Sequence, residues 1–242
     1  MGRSGRRIQT FKQFDVHDDA CGMKVGTDAL LLGSWAGACK ESSAEPISAA
    51  LDIGTGSGIL AMMLAQRFPA AHVHAVELEP DAAKQASENA KRSPFGDRIT
   101  VHHRAFQGWE GRVDLAVCNP PFFHGHPKSQ DRKRNLARHD DTLPLGALFK
   151  AVKACLHDNG EFAIVFPEER APELVNVAAA MGFHLWAKIT LQATKNHKVI
   201  RSLWAWRRIP CNKPKNEAWM IEGPEGSGAW SDSVAVRLAT FV

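Results

Sequence analysis

Three glycines at alternate positions and a glutamate one segment later have a spacing that suits ligand binding. The stretch 51–60 runs from an apolar segment into Gly54, Gly56 and Gly58, and then into apolar residues at helical spacing. Glycines let the backbone turn tightly and let a ligand approach it, and a following helix offers unpaired N–H groups to an anionic portion of that ligand. Glu77 ends the next apolar segment, where a carboxylate can accept hydrogen bonds from ribose hydroxyls. The sequence therefore predicts a site for a ribose-containing cofactor.

The glycine spacing separates two classes of cofactor. A dinucleotide fingerprint has the form GxGxxG and needs glycine at position 59, which is isoleucine here. The pattern that begins at Asp52 instead resembles motif I of the class I S-adenosylmethionine methyltransferases. This resemblance implies S-adenosylmethionine as the cofactor, with its methionine half on the loop, and it extends the predicted cofactor-binding set to Asp52 and Thr55.

A second chemical signal follows the apolar run 113–117. Asn119, Pro120, Pro121 and Phe122 come directly after it, and two consecutive prolines cannot continue a paired strand. In class I methyltransferases that act on a planar amine, the fourth strand ends in an Asn/Asp-Pro-Pro-aromatic motif, and these four residues are similar to it at each position. The resemblance makes them the candidate catalytic residues.

The residue types of this motif suit a planar amine, whose lone pair is delocalised into a ring. The Asn119 side-chain oxygen and the Pro120 carbonyl can accept the two amine hydrogens, which aims the nitrogen lone pair at a methyl donor. Positioning and fixed dipoles then supply most of the acceleration, and Phe122 offers a face on which the target ring can stack. The motif does not choose among the amines of adenine, guanine and cytosine and the side-chain amide of glutamine.

The part of the site that would hold the cofactor's adenine departs from the family pattern. Many class I methyltransferases have an acid after the third strand, near the adenine amine, and Ala105 stands where we expect that acid. We therefore expect Ala105 and Phe106 to contact the adenine through the ring of Phe106 or through a backbone carbonyl. Leu78, which follows Glu77, completes this part of the predicted site.

The N-terminal segment favours one of these amines. Residues 11–36, "FKQFDVHDDACGMKVGTDALLLGSWA", resemble the signature of the tRNA1(Val) adenine-N6-methyltransferase family. The resemblance implies a tRNA substrate, methylated at the adenine just 3′ of the anticodon, position 37. It adds Lys24, Gly26, Thr27 and Asp28 to the predicted cofactor site, with Thr27 or Asp28 as the cap of a helix. Three alternatives remain: a guanine-N2 ribosomal RNA methyltransferase, a protein-glutamine N5-methyltransferase and a non-catalytic RNA-binding relic.

A cationic segment after the Asn-Pro-Pro motif matches an RNA substrate. A base that is flipped out of its stack is approached together with its phosphates, which a cationic loop beside the site can hold. The predicted RNA contacts are Lys128, Arg132, Lys133, Arg134 and Arg138.

Apolar runs that alternate with amphipathic stretches predict the elements that position these residues. Strands are expected at 49–53, 71–78, 98–103, 113–118, 161–167, 183–192 and 198–208, and the last two follow each other without a helix, as an antiparallel edge hairpin. The predicted fold is α/β: a Rossmann-like class I methyltransferase with a seven-stranded, mostly parallel sheet and helices on both faces. We expect a single domain over residues 1–242, with an N-terminal extension and first helix at 1–47 and a catalytic core at 48–242.

Composition limits the remaining possibilities. No run of eighteen apolar residues is present, which argues against a membrane span. Five scattered cysteines, without CxxC spacing, are typical of a reducing cytoplasm rather than of a disulfide framework or a zinc site. Of the eleven histidines, no set is placed by spacing to bind a metal, and methyl transfer needs none. We therefore expect a cytoplasmic protein that binds tRNA, with no metal or membrane partner, and a monomer is favoured.

Overall fold

The computed structural model describes residues 8–39, 46–121, 143–223 and 229–242. The strands within these ranges are β1 (Ile8–Thr10), β2 (Asp15–His17), β3 (Ala49–Ile53), β4 (His72–Glu77), β5 (Ile99–His103), β6 (Val113–Cys118), β7 (Leu156–Pro167), β8 (His184–Gln192), β9 (Arg201–Arg207) and β10 (Lys215–Met220). The α-helices are α1 (Thr27–Trp35), α2 (Ile59–Arg67), α3 (Pro80–Arg92), α4 (Leu145–Cys155), α5 (Ala171–Ala180) and α6 (Asp232–Leu238).

The main sheet has the order β10-β8-β9-β7-β6-β3-β4-β5. Neighbours from β7 to β5 are parallel, and β9 is antiparallel to both β7 and β8. The central strands are parallel and read as nearly continuous apolar runs because both of their faces are covered. The predicted α/β class and the mostly parallel sheet are confirmed.

Helices cover both faces of the sheet, as predicted. One apolar cluster packs α1, α2 and α6 against the sheet through residues such as Leu31, Met62 and Leu238. The other packs α4 and α5 against the opposite face, where Phe149 meets Phe162 edge to face with ring centroids 5.3 Å apart. Each central strand therefore contributes alternate side chains to two different apolar cores.

The sheet is wider than the seven strands that we expected. The hairpin of β8 and β9 forms, but β10 pairs with β8 in parallel, so the hairpin is not at the edge. Five of the six residues of β10 are exposed and only Trp219 is buried, a pattern typical of an edge strand that resembles a polar loop in sequence. A separate ribbon of β1 and β2 was also missed, because three-residue strands carry no readable periodicity.

Parallel strands bring the predicted site residues to one edge of the sheet. The glycine loop follows β3, Glu77 ends β4, the turn with Phe106 follows β5 and Asn119 follows β6. Ligands of open α/β sheets bind beyond these carboxyl ends. Of the described helices, none is both long and apolar enough to span a membrane.

Candidate active site

A cavity lies at this carboxyl edge and collects most of the predicted residues. Its wall includes the glycine loop, the end of β4, the turn after β5 and the start of the Asn-Pro-Pro motif. Of the predicted set, the residues that line it are Gly54, Gly56, Glu77, Leu78, Ala105, Phe106, Asn119, Pro120 and Pro121. Asp52, Thr55 and Gly58 lie behind this wall.

The three glycines have different tasks, although all have positive φ. At Gly54 (φ +70°) and Gly56 (φ +55°), an added Cβ would meet no atom within 4 Å, so the space beside the loop is open to a ligand. At Gly58, a Cβ would lie 3.4 Å from Ala86 of α3, so this glycine permits helix packing. The Gly54 and Thr55 N–H groups donate to the Val76 carbonyl, at 2.9 and 3.1 Å, which fixes the loop to β4.

The Glu77 carboxylate lies at the cavity wall and organises the backbone around it. Its Oε2 accepts from the Gly56 N–H at 2.9 Å, and its Oε1 accepts from the N–H groups of Leu78 and Glu79 at 2.8 and 2.9 Å. A carboxylate has about four acceptor positions, so Oε2 retains capacity for a hydroxyl. The geometry suits the predicted contact with a ribose.

Asp52 supports the glycine loop from inside the protein. Its buried carboxylate accepts hydrogen bonds from the Thr55 hydroxyl and, at 3.1 Å, from the Ala61 N–H of α2. Burial raises the pKa of Asp52 to about 7, against the opposing effect of these two donors. Asp52 and Thr55 therefore shape the loop and do not line the cavity themselves.

Asn119 is presented to the cavity by the end of β6. Cys118 is paired in register with Ile53 of β3 and Ile164 of β7, which places the next residue beyond the sheet. Asn119 and Pro120 are half-buried and Pro121 is buried. Within the described ranges the Asn119 side chain has no hydrogen-bond partner, so its amide oxygen is available to a ligand. Phe122 and the predicted RNA contacts Lys128, Arg132, Lys133, Arg134 and Arg138 lie outside the described residues.

The turn after β5 supplies an apolar wall. Phe106 begins the 3-10 turn Phe106–Gly108, is 5% exposed and lines the cavity beside Ala105. The Arg104 N–H donates to the Glu77 carbonyl at 2.9 Å, which keeps this turn close to the predicted ribose acid. A flat apolar wall next to a carboxylate suits a nucleoside, with the base against the wall and the sugar at the acid.

The N-terminal segment contributes a wall of the cavity. The residues that form this wall lie about four positions before those that the sequence predicted. Ala20, Cys21, Gly22 and Met23 line the cavity, whereas Lys24, Gly26, Thr27 and Asp28 do not. No periodic or turn signal marked residues 20–23 as a wall.

The predicted residues of this segment hold its backbone in place. The Lys24 ammonium donates to the Asp18 carbonyl at 2.5 Å, and Asp28 forms an ion pair with Arg201 at 2.5 Å. The expectation that Thr27 or Asp28 caps α1 is wrong: Gly26 occupies the N-cap and no side chain caps it. Asp28 instead faces β9, where its ion pair offsets part of the cost of burial.

Two polar side chains on one face of α3 hold the N-terminal wall in place. Gln85 accepts from the Ala20 N–H at 3.0 Å and donates to the Asp19 carboxylate at 2.8 Å. One turn later, Asn89 donates to the carbonyls of His17 and Ser57, at 2.7 and 2.8 Å. Residues four apart on a helix share a face, so α3 ties the N-terminal segment to the glycine loop.

The histidines and cysteines of the described ranges form no metal site or reactive thiol at the cavity. Within the described ranges, no three His, Cys, Asp or Glu residues are arranged to bind a metal. All five cysteines are described and none forms a disulfide. Cys21 is the thiol at the N-terminal wall, and burial raises its pKa to about 12, so it is a poor nucleophile.

Comparisons with known proteins place the chain in a narrow group. Residues 42–199 match the methyltransferase small domain family. A tRNA1(Val) (adenine(37)-N6)-methyltransferase of Porphyromonas gingivalis is 40% identical over 83% of this chain and 80% of its own length. One of Aeromonas hydrophila is 45% identical, over 72% of each chain.

Solved structures are similar in fold at low sequence identity. A predicted O-methyltransferase of Agrobacterium tumefaciens superposes with a TM-score of 0.66 at 16% identity, over 88% of this chain and 96% of its own. A geranyl diphosphate C-methyltransferase of Streptomyces coelicolor, in complex with S-adenosyl-L-homocysteine, superposes with a TM-score of 0.51 at 13% identity, over 69% and 75%. At these identities the likeness shows the fold alone, which is the Rossmann-like class I methyltransferase fold that the sequence predicts.

Proposed function

The chain belongs to the tRNA1(Val) (adenine(37)-N6)-methyltransferase family, and from this premise we propose that it methylates tRNA. The methyl donor is S-adenosylmethionine, and the acceptor is N6 of the adenine at position 37, just 3′ of the anticodon. Because the proposed substrate is tRNA, we propose that the protein acts in the cytoplasm. The observation that carries this proposal is the single cavity in which the glycine loop, Glu77 and the Asn-Pro-Pro motif meet.

The cavity fits S-adenosylmethionine at three points. The open space beside Gly54 and Gly56 suits the amino-acid half of the cofactor, because the backbone can be approached closely there. Glu77 and Phe106 both line the cavity, where Glu77 would accept hydrogen bonds from the ribose hydroxyls and Phe106 would pack against the adenine. Ala20 to Met23 close the cavity on the remaining side. When bound, the cofactor supplies an electrophilic methyl group on a positively charged sulfur.

The protein's task in the reaction is to hold the adenine amine in the right geometry. The Asn119 side-chain oxygen and the Pro120 carbonyl accept the two amine hydrogens, which directs the nitrogen lone pair toward the methyl group. Pro120 has a fixed φ, and the Pro121 that follows restricts its ψ, so its carbonyl needs little reorganisation when the substrate arrives. Phe122 stacks on the adenine ring, as in the family motif. Positioning of this kind accounts for a large share of the rate of such reactions.

A methyl-transfer assay with product analysis tests the proposal against its alternatives. The purified chain is incubated with radiolabelled S-adenosylmethionine and unmodified tRNA, and the nucleosides are separated by mass spectrometry. N6-methyladenosine at position 37 is the expected product. N2-methylguanosine in ribosomal RNA would favour the guanine enzyme, and label in protein would favour the glutamine enzyme. Cofactor and tRNA binding without transfer would identify a non-catalytic relic.

A further inference from the structure

The loop between β8 and β9, residues 193–200, lies at the same edge of the sheet as the Asn-Pro-Pro motif. Both β7 and β8 are antiparallel to β9, so β8 runs in the same direction as β7 and ends at the same edge. The chain reverses there and returns as β9. A segment far from the catalytic motif in sequence is therefore brought to the active-site edge.

Specific contacts connect this loop to the cavity wall. Phe166 lines the cavity and is paired in register with Ser202 of β9. Two residues later, the Glu168 N–H donates to the Ile200 carbonyl at 3.0 Å. The end of the loop is therefore hydrogen-bonded to the residue that follows β7, and Phe166 of β7 lines the cavity.

The loop is braced rather than loosely attached. The Gln192 side chain donates to the His197 carbonyl at 3.0 Å, and the Thr194 hydroxyl lies 2.7 Å from the His197 Nδ1. At the base of the loop, the Glu222 N–H donates to the Ala193 carbonyl at 2.9 Å. A braced loop presents its side chains at a small cost in conformational entropy on binding.

The exposed side chains of this loop include two lysines and an isoleucine, beside the polar Asn196 and His197. Lys195, His197 and Lys198 are exposed, and the segment 193–200 contains no acid. In the part of the chain that the structure describes, neither lysine forms an ion pair. Ile200 is 67% exposed although its backbone is fixed. Cations beside an exposed apolar side chain are the combination with which proteins hold a nucleic acid backbone and contact a base.

Arg201 shares this edge but pairs with Asp28, and four other cations of the C-terminal third lie elsewhere. Arg207 and Arg208 lie at the opposite end of β9, where Arg207 donates to the Asn159 carbonyl at 3.0 Å and Arg208 pairs with Asp158. Lys213 and Lys215 are exposed but precede or begin β10, at its amino end. The loop lysines and these four cations are close in sequence, but the fold places them at opposite edges of the sheet.

We propose that the loop 193–200 is a tRNA-binding element of the active site. Lys195 and Lys198 contact backbone phosphates that flank the target adenine, and Ile200 packs against a neighbouring base or ribose. This inference rests on the proposed function, because it assumes a tRNA substrate. It adds a contact surface at the carboxyl edge, beside the ion pair that joins Arg201 to Asp28.

A pair of charge-matched variants tests the proposal in the full chain. Lys195→Glu/Lys198→Glu and the control Lys213→Glu/Lys215→Glu lower the net charge equally but at different ends of the sheet. We expect the first double variant to weaken binding of an unmodified tRNA1(Val) transcript by about tenfold or more, and to reduce the salt slope of log Kd by about 2. The control retains nearly the parent's affinity. Both are expected to keep the parent's Kd for S-adenosylmethionine, which verifies folding.

A second pair tests the apolar contact. Ile200→Ala should raise the KM for tRNA several-fold at unchanged kcat, whereas Val236→Ala, which truncates a 74% exposed side chain on α6, should not. If the parent does not methylate tRNA, the proposed function itself is wrong.

Other outcomes overturn the inference alone. If the parent methylates tRNA and the two double variants bind it equally well, the loop assignment is wrong while the function stands. If the glutamate variant fails to bind S-adenosylmethionine, Lys195→Gln/Lys198→Gln is measured against the matching glutamine control.

Discussion

At the scale of single residues, the site separates those that face the ligand from those that shape the backbone. Asn119, Glu77 and Phe106 line the cavity, whereas Asp52 and Gly58 act from behind the wall. Glu77 ends β4, and Phe106 and Asn119 follow β5 and β6, at the edge where the cavity lies. Asp52 lies inside β3, and Gly58 packs against α3. The two groups should therefore respond differently to substitution.

Replacement of Asn119 tests a residue of the first group. Asn119→Ala removes one of two acceptors for the amine hydrogens, and we expect kcat to fall roughly 100-fold or more, as when one preorganised hydrogen-bonding group is removed. The Kd for S-adenosylmethionine should change little. Asn119→Asp, which keeps an acceptor oxygen, serves as the conservative control and should retain more activity. Parent-like turnover by Asn119→Ala would contradict the assigned role.

Asp52 gives a test of the second group through pH. Because burial raises the pKa of Asp52 to about 7, the folded state binds this proton more tightly than the unfolded state does. The stabilisation is present below the ordinary pKa of an aspartate and is lost as the pH rises through about 7. We expect the Asp52→Asn variant to lose less unfolding free energy than the parent between pH 4 and 8. The loss for the parent should exceed the loss for the variant by on the order of a few kcal/mol. Urea unfolding at each pH measures both losses. Parallel curves for the two proteins would show that Asp52 does not titrate in this range.

At the scale of elements, α3 joins two parts of the site that are distant in sequence. Its apolar face packs on the sheet, while Gln85 and Asn89 hold the N-terminal wall and the glycine loop. The helix begins at Pro80, with Glu79 as the N-cap whose side chain accepts from the Ala82 N–H. The hydrogen bonds to residues 17–20 required the folded structure, because nothing in the N-terminal segment specifies which helix it crosses.

A substitution in α3 should affect cofactor binding without touching the cofactor. Gln85→Ala releases the Ala20 N–H and the Asp19 carboxylate, so residues 20–23 lose their fixed position at the cavity. We expect the KM for S-adenosylmethionine to rise about tenfold, with kcat at saturation within about twofold of the parent. A tenfold rise corresponds to a loss of roughly 1.4 kcal/mol of binding free energy, which is near the net contribution of one or two hydrogen bonds. Gln85→Glu keeps the acceptor for the Ala20 N–H and should recover part of the affinity.

The matched control for this variant lies on the same helix. Lys84→Ala changes an exposed neighbour that does not contact the N-terminal segment, and its KM for S-adenosylmethionine should match the parent's. A fall in kcat for Gln85→Ala with an unchanged KM would argue against a positioning role for this wall.

At the scale of the whole molecule, the sheet assigns ligands to one edge and structural contacts to the other. The cofactor residues, the Asn-Pro-Pro motif and the loop 193–200 all lie at the carboxyl edge. The net charge of +4 is small, so attraction for a polyanion depends on where the cations lie rather than on their number.

Salt should therefore separate the two substrates. Between 50 and 200 mM KCl, we expect the KM for tRNA to rise at least tenfold, because each phosphate contact releases condensed counterions when it forms. The KM for S-adenosylmethionine should change less than about twofold. Initial rates at saturating concentrations of the other substrate measure both constants. Equal salt dependence of the two constants would argue that tRNA is held mainly by uncharged contacts.

The sequence by itself determined the local chemistry of this protein. Glycine spacing, the acid at the end of β4 and the prolines after β6 are each decided within a few residues, because turn geometry and strand termination depend on local backbone preferences. The family resemblance extended that chemistry to a methyl donor and an RNA amine. The helical spacing after Gly58 was readable for the same local reason.

The tertiary structure decided which distant segments meet. The place of β10 at the edge, the wall formed by residues 20–23 and the separation of Lys195 and Lys198 from Lys213 all depend on strand order and direction. Strand order is set by the packing of apolar faces across the whole sheet, so no local pattern encodes it. The sequence therefore predicted the candidate reacting residues, and only the folded sheet assigned their neighbours.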